Sequence, residues 1–256
     1  MPWRCSFFGE CLAGNWPGNG DRSRLVAKMP ITYDQVLPWG RSFEEYERMF
    51  ALNPRDLSRR IVGCGDGPAA FNARMHALGH RMTSVDPLYA LERHRIAARI
   101  EEVTGVILEQ TANNRHLFRW DRIRSVEELG QLRHESMLEF LEDYAEGCEE
   151  GRYVAAELPS LPFEDQSFDL ALCSHFLFMY SEHLDLEFHV RAIREMLRLA
   201  DEVRLFPIVG LNARRSPHLA GVMSQLEQYS RVRLVSVDYE FQIGANQMLQ
   251  VGGEAS

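Results

Sequence analysis

The sequence lacks any continuous apolar segment of about 20 residues, the length that a helix needs to cross a bilayer. Its five cysteines include no Cys-x-x-Cys pair, which counts against a zinc site or a disulfide framework. An excess of basic residues is also missing: the formal net charge is −9, so no extended nucleic-acid interface is expected. We therefore expect a cytoplasmic protein that binds neither membrane nor nucleic acid.

The first 28 residues lack the apolar stretch of a secretory signal and are rich in Gly, Asn, Trp and Pro. We expect residues 1–28 to form a disordered tail, and Met29 is an alternative start. The remaining residues, 29–256, are enough for one α/β domain with a full core.

Short apolar runs alternate with helical patterns from about residue 40, which predicts a parallel sheet covered by helices. Strands are expected at 59–63 and in the segments HRMTSVDP, RYVAAE, SFDLALCSHF and DEVRLFPIV. The segment RVRLVSVDYEFQIGANQMLQV contains two apolar runs joined by Gly-Ala-Asn, which predicts an antiparallel hairpin. Residues 106–150 interrupt the alternation and are predicted to form a helical insertion, with a lid as one role for it.

Capping residues mark several of the predicted helices. Ser42 and Glu45 stand three residues apart before an apolar helical face, the pattern of a capping box. The segment 71–79 carries apolar residues at helical spacing, and Gly79 is its expected stop. Ser216 is the expected cap of a helix before the final hairpin.

The segment VGCGDG places Gly63, Gly65 and Gly67 between a predicted strand and a predicted helix. A glycine has no side chain, so a ligand can approach its backbone closely. A helix N-terminus offers free N–H groups and the positive end of the helix dipole. Asp86 ends the next strand about 20 residues on, where a carboxylate can accept both hydroxyls of a ribose. Glycine turns also serve packing, and Asp86 before Pro87 also suits a turn, but together the two features favour a nucleotide-type cofactor.

From about residue 40 to 252 the chain resembles the class I S-adenosylmethionine-dependent methyltransferases. The resemblance rests on VGCGDG (62–67), SVDP (84–87), ELPSLPFEDQSFDLALCSHFLF (157–178) and FQIGANQML (241–249). The segments GRSFEEY, GPAAFNA and SPHL are similar to an uncharacterised bacterial subgroup. The resemblance implies a Rossmann-like, doubly wound, mostly parallel seven-stranded sheet with a C-terminal antiparallel hairpin and a helical insertion. It also implies S-adenosyl-L-methionine as the cofactor.

The resemblance assigns the glycine-rich loop to the methionine part of that cofactor. The loop residues concerned are Gly63, Cys64, Gly65, Asp66 and Gly67. The family usually carries an acid two residues before the first glycine, where it helps to hold the methionine ammonium, but this chain has Ile61 there. A backbone carbonyl or Asp66 is the expected replacement.

Four further residues are assigned to the adenosine part by the same resemblance. Asp86, followed by Pro87, would bind the ribose. Glu157 stands where the family places an acid for the adenine amino group, and the backbone of Leu158 would flank the ring. These residues follow predicted strands, whose carboxyl ends meet at one edge of a parallel sheet.

Ser174 and His175 would border the methyl group and its acceptor, and His175 is the candidate catalytic base. The alternative for His175 is a hydrogen-bonded structural histidine. No metal is expected, because polar residues one helical turn apart, such as His183 and Glu187, usually form a solvated face. The sequence also lacks Asn-Pro-Pro-Tyr and Pro-Cys after the fourth strand, which disfavours methylation of base or glutamine amino groups and of cytosine C5.

Two pairs of residues leave alternatives open. In one alternative, Arg41 and Tyr46 fold over the cofactor from the N-terminal helix. In the other, Tyr46 has only a packing role. Trp120 and Tyr144 either line an acceptor pocket or form the core of the insertion.

We therefore predict an S-adenosylmethionine-dependent methyltransferase with a small-molecule acceptor. The alternatives are a non-catalytic protein of the same fold that binds S-adenosylmethionine or S-adenosylhomocysteine, and a nicotinamide dehydrogenase. The glycine spacing and the terminal hairpin count against the dehydrogenase.

Overall fold

The structure is a computed structural model that describes residues 36–252. The predicted tail, residues 1–28, lies outside the described residues. Within the described part of the chain, seven strands form one sheet. In chain order they are β1 (Ile61–Cys64), β2 (Met82–Val85), β3 (Tyr153–Val154), β4 (Phe168–Ser174), β5 (Ala200–Phe206), β6 (Val232–Ser236) and β7 (Gln247–Gly252).

The strands lie side by side in the order β3-β2-β1-β4-β5-β7-β6. The strands β1 to β5 are parallel, whereas β7 runs antiparallel to both β5 and β6. The predicted mostly parallel seven-stranded sheet with a C-terminal antiparallel hairpin is confirmed. The chain builds the sheet outward in one direction from β1 to β3 and in the other direction from β4 to β5, so the switch point lies between β1 and β4. The loops that follow these two strands therefore meet at the carboxyl edge of the sheet.

Helices cover both faces of this sheet. Within residues 36–252 they are α1 (Phe43–Met49), α2 (Pro54–Leu57), α3 (Phe71–Ala77), α4 (Arg93–Asn113), α5 (Val126–Glu149), α6 (Leu186–Leu199) and α7 (Leu219–Leu226). None of the helices in this range combines the length and the apolar character needed to cross a membrane. The segment predicted as an insertion, 106–150, contains the end of α4, a connection and the whole of α5.

Alternate residues of the central strand β4 enter two separate layers of the core. Leu170 and Leu172 pack with apolar residues of α1 and α3 on one face. Ala171 and Cys173 pack with α6 and α7 on the other face. Strands that are buried on both faces read as continuous apolar runs, which is why LALC has no polar alternation. Burial of this kind contributes about 25 cal/mol for each Å² of apolar surface removed from water.

Two predicted helix ends are confirmed. The Ser42 hydroxyl accepts a hydrogen bond from the Glu45 N–H (3.3 Å), and the Glu45 carboxylate accepts one from the Ser42 N–H (3.0 Å), which completes the capping box of α1. Gly79 follows α3 with φ +79°, a backbone conformation that side chains other than glycine rarely adopt.

The predicted start of α7 at Ser216 is wrong, because the helix begins at Leu219 with His218 as its N-terminal cap. The Ser216 hydroxyl accepts a hydrogen bond from the His218 N–H (3.2 Å) and also bonds to the Ser181 hydroxyl (2.6 Å). These bonds hold residues 216–218 in a turn that precedes the helix.

Candidate functional site

The glycine-rich loop follows β1 at the point where strand addition changes direction. Gly65 has φ +72°, and its N–H donates to the Val85 carbonyl (2.8 Å). A Cβ atom at Gly65 would lie 3.2 Å from Phe176 Cγ, and one at Gly63 would lie 1.8 Å from Asp66 Oδ2. The loop thus needs glycine at 65 for its backbone conformation and at 63 because the Asp66 carboxylate folds back over the strand end.

Asp86 follows β2 and holds the glycine-rich loop in place. Its Oδ2 accepts a hydrogen bond from the Gly67 N–H (2.9 Å), and its Oδ1 accepts one from the Leu88 N–H (2.8 Å). An ionised carboxylate can accept about four hydrogen bonds, so each oxygen keeps one lone pair for a ligand. Burial raises the pKa of Asp86 to about 6, although these two hydrogen bonds oppose the rise.

Asp66 lies deeper, between α1 and β2. Its carboxylate accepts hydrogen bonds from the Tyr46 hydroxyl (2.9 Å) and the Ser84 hydroxyl (2.7 Å). Burial raises the pKa of Asp66 to about 7, and the nearby Asp86 adds to the rise, while the two hydrogen bonds oppose it. A cation placed beside these carboxyl groups would favour their ionised forms.

A cavity opens between the loops that follow β1, β2, β3 and β4. It spans about 680 Å³ of space, part of which is open to solvent. Its walls are mainly apolar, and among the described residues Asp86 and Glu157 are the carboxyl groups that line it. Burial raises the pKa of Glu157, and it raises the pKa of the Cys64 thiol well above its ordinary value. The cavity therefore offers two acids in an apolar enclosure.

The cavity brings together residues that are distant in sequence. The predicted site residues that line it are Cys64, Gly65, Asp86, Pro87, Glu157 and Leu158. Residues that the sequence analysis did not assign to the site also line it, namely Val36, Val85, Ala156, Phe176, Tyr180, Leu184 and Phe188. Four of these come after β4 in the chain, namely Phe176, Tyr180, Leu184 and Phe188. Their position after a strand that borders the switch point is the sequence feature that could have revealed them.

The other predicted site residues lie beside the cavity rather than in its wall. They are Gly63, Asp66, Gly67, Ser174 and His175.

His175 follows β4 with φ +51° and lies against the end of β5. Its N–H donates to the Phe206 carbonyl (2.6 Å), and its ring centroid lies 5.5 Å from that of Phe206. Its Nδ1 lies 2.9 Å from the Ser174 hydroxyl. Burial lowers the pKa of His175 well below its ordinary value, and the nearby Arg41 and Arg133 lower it further, so the imidazole is neutral at pH 7.

A buried ion pair joins α1 to α5. Arg133 of α5 makes a two-pronged contact with Glu45 of α1, with 2.7 Å between Nη2 and Oε1. The Tyr239 hydroxyl also donates to Glu45 Oε1 (2.7 Å). Burial raises the pKa of Glu45, but Arg133 outweighs it and lowers the pKa to about 2. This carboxylate is therefore fully neutralised by α5.

The alternatives left open for Tyr46 and Tyr144 are resolved by their contacts. Tyr46 packs against Phe71, with ring centroids 4.5 Å apart, while its hydroxyl binds Asp66. Tyr144 donates its hydroxyl to backbone carbonyls and packs in the core of α4 and α5. Trp120 packs against Phe241 of the β6–β7 connection.

In residues 36–252, no three side chains of His, Cys, Asp or Glu lie together as metal ligands would. The absence of a metal remains a prediction of the sequence.

Comparison with protein families identifies one matching family model. It is described as a methyltransferase domain and matches residues 130–202. This range runs from α5 into β5, so it contains Glu157, Ser174 and His175 but not the glycine-rich loop.

Three individual proteins illustrate the range of similarity. An uncharacterised protein of Methanocaldococcus jannaschii is 32% identical over 211 residues, which cover 82% of this chain and 93% of the relative. A solved structure of a putative S-adenosyl-L-methionine-dependent methyltransferase from Methanococcus maripaludis is 11% identical, with a TM-score of 0.38 and coverage of 84% of each chain. Magnesium protoporphyrin IX methyltransferase from Synechocystis PCC 6803, solved with bound SAM, is 11% identical, with a TM-score of 0.38 and coverage of 82% of this chain and 89% of that chain.

Proposed function

Because the chain belongs to the class I S-adenosylmethionine-dependent methyltransferases, we propose that its cavity binds S-adenosyl-L-methionine and that the enzyme methylates a small-molecule acceptor. The observation that carries this proposal is the Asp86 carboxylate, which lines the cavity and keeps lone pairs free for a ribose. We place the activity in one domain, residues 29–256, and in the cytoplasm, where free thiols such as the buried Cys64 and Cys173 stay reduced.

The adenosine part of the cofactor fits the end of the cavity that Asp86 and Glu157 line. Asp86 would accept hydrogen bonds from both ribose hydroxyls, while Pro87 packs beside the sugar. Glu157 would accept a hydrogen bond from the adenine amino group, and Leu158 would flank the ring. The apolar walls support this arrangement, because they exclude water from the two carboxyl groups.

The methionine part would lie along the loop from Gly63 to Gly67. Ile61 has a hydrocarbon side chain, which is fully buried in the sheet core, so it cannot supply the carboxylate that the family usually has at this position. We assign that role to Asp66, whose carboxylate lies over the end of β1 at Gly63. Tyr46 and Ser84 hold this carboxylate in place and leave lone pairs for an ammonium group.

This assignment makes cofactor binding depend on pH. Asp66 and Asp86 have raised pKa values of about 7 and about 6, so both are largely protonated at pH 5.5 and largely ionised at pH 8. The cofactor carries a sulfonium and an ammonium group, and it would bind the ionised forms. We expect its affinity, measured by calorimetry, to rise about tenfold or more from pH 5.5 to pH 8.

The matched control for this pH dependence is Asp66→Asn, which keeps a partner for Tyr46 and Ser84 but does not titrate. It should bind the cofactor more weakly at pH 8 and show a shallower pH dependence. An affinity of the parent protein that stays constant across this range would contradict the role of Asp66.

S-adenosyl-L-methionine, when bound, supplies a methyl group that is electrophilic because it is attached to a positive sulfur. The protein's own contribution would be to hold the acceptor in line with that methyl group, an effect that can reach about 7–11 kcal/mol. We propose that Ser174 and His175 border this position. A strongly lowered pKa makes His175 a weak base, so it would act as a neutral hydrogen-bond partner that positions the acceptor.

The test of the proposed function is turnover. The purified protein is incubated with methyl-labelled S-adenosylmethionine and a deproteinised metabolite extract, and labelled products are separated by mass. We expect a labelled small molecule whose formation is lost in Asp86→Ala. Tight binding of S-adenosylhomocysteine without product in repeated extracts would instead support a binding protein, the alternative considered from the sequence.

A further inference from the structure

Within the described residues, Arg41 is a cation without a carboxylate partner. Its Nη1 donates to the Trp39 carbonyl, whereas its Nε is buried and finds no hydrogen-bond acceptor in that part of the chain. Among residues 36–252, none places a carboxylate within ion-pair distance of it. Arg41 is half-buried as a residue, and a cation with a nitrogen sealed from water is costly unless something neutralises it.

The charged groups around Arg41 leave its own charge uncompensated. The nearby Glu45 is already paired with Arg133 and also accepts from Tyr239, so two cations face one carboxylate. The carboxylate of Asp66, which follows β1, is held by the hydroxyls of Tyr46 and Ser84. Burial, followed by repulsion from Arg133, lowers the pKa of Arg41 to about 10, so it stays protonated at pH 7.

Arg41 lies between the glycine-rich loop and the cavity wall. Its carbonyl accepts a hydrogen bond from the Ala70 N–H (3.0 Å), just after that loop. Four residues before it, the Leu37 N–H donates to the hydroxyl of Tyr180 (3.2 Å), and Tyr180 lines the cavity. In agreement with these contacts, the charge of Arg41 adds to the lowering of the pKa of His175.

We propose that the methyl acceptor of this enzyme carries an anionic group, a carboxylate or a phosphate, and that Arg41 binds it. The planar guanidinium suits such oxyanions because it can donate parallel hydrogen bonds to them. This inference rests on the proposed function, since it assumes that the cavity holds the cofactor. The methionine carboxylate of the cofactor is the competing partner for Arg41, and the test must separate the two.

The experiment first saturates the full-length protein with S-adenosylhomocysteine and then titrates it with benzoate, inorganic phosphate and the neutral benzamide. Binding is followed by ligand-observed NMR and by the shift in Tm. We expect benzoate or phosphate to bind the parent and benzamide to bind more weakly. Arg41→Gln should lower the affinity for the anion by about tenfold or more, which is the effect of losing a charge-assisted hydrogen bond. Arg41→Lys should recover part of the loss.

The matched control is Arg233→Gln, which removes an exposed arginine from the edge strand β6 and should leave anion binding unchanged. A second titration measures S-adenosylhomocysteine and 5′-methylthioadenosine, which lacks the amino acid part. If Arg41→Gln weakens the binding of S-adenosylhomocysteine but not that of 5′-methylthioadenosine or of the added anion, Arg41 binds the cofactor's own carboxylate. That result overturns the inference. Equal binding of benzamide and benzoate, or no anion binding by the saturated parent, also overturns it. A parent that does not bind S-adenosylhomocysteine overturns the proposed function together with this inference.

Discussion

Replacing Arg133 by methionine is expected to lower the free energy of unfolding by about 3–5 kcal/mol, the usual cost of removing one partner from a buried ion pair. The Arg133 side chain is 1% exposed and that of Glu45 is 3% exposed. The change would leave the buried Glu45 carboxylate with the Tyr239 hydroxyl and the Ser42 N–H as its hydrogen-bond donors among the described residues. The loss should also loosen the contact between α1 and α5.

This prediction is checked by urea denaturation at pH 7, followed by circular dichroism. The matched control is Arg122→Met, which breaks the exposed pair of Arg122 and Asp238 and should cost about 1 kcal/mol or less. Adding Glu45→Met to Arg133→Met should recover part of the loss, because it removes the unpaired charge. A single Arg133→Met variant within 1 kcal/mol of the parent would contradict this account of the pair.

Replacing Asp86 by alanine is expected to weaken S-adenosylhomocysteine binding about 100-fold, or about 3 kcal/mol. The variant would lose the acceptor for both ribose hydroxyls. It would also free the N–H groups of Gly67 and Leu88, which the carboxylate now fixes. The loop that faces the methionine part would therefore become less ordered as the ribose contact disappears.

Calorimetric titration of Asp86→Ala and Asp86→Asn measures this effect, with thermal denaturation to establish that each variant is folded. Asparagine keeps one acceptor oxygen, so its affinity should lie between those of alanine and the parent. The control is Asp238→Ala, a highly exposed acid that lies outside the cavity wall. Parent-like binding by Asp86→Ala would show that the ribose lies elsewhere.

Much of the fold follows from local patterns. Apolar runs such as LALC in β4 and the Gly-Ala-Asn turn before β7 identify strands because they reflect burial and turn geometry within a few residues. The positions of Asp86 and Glu157 at the cavity were also predictable. Both follow parallel strands, whose carboxyl ends meet at one edge of the sheet.

The contacts around Arg41 could not be predicted from the sequence. Arg133 and Glu45 are 88 positions apart, and Tyr239 and Glu45 are 194 apart, so no local spacing relates them. The start of α7 was misplaced for a similar reason, since the bond between Ser216 and Ser181 joins distant segments. Such contacts depend on the packing of whole elements, whereas caps and turns depend on neighbouring residues.

The most direct measurement is calorimetric titration of the purified parent protein with S-adenosylhomocysteine and, separately, with NAD. The account predicts saturable binding of one S-adenosylhomocysteine per chain and no heat of binding for NAD. Binding of NAD without binding of S-adenosylhomocysteine would contradict it.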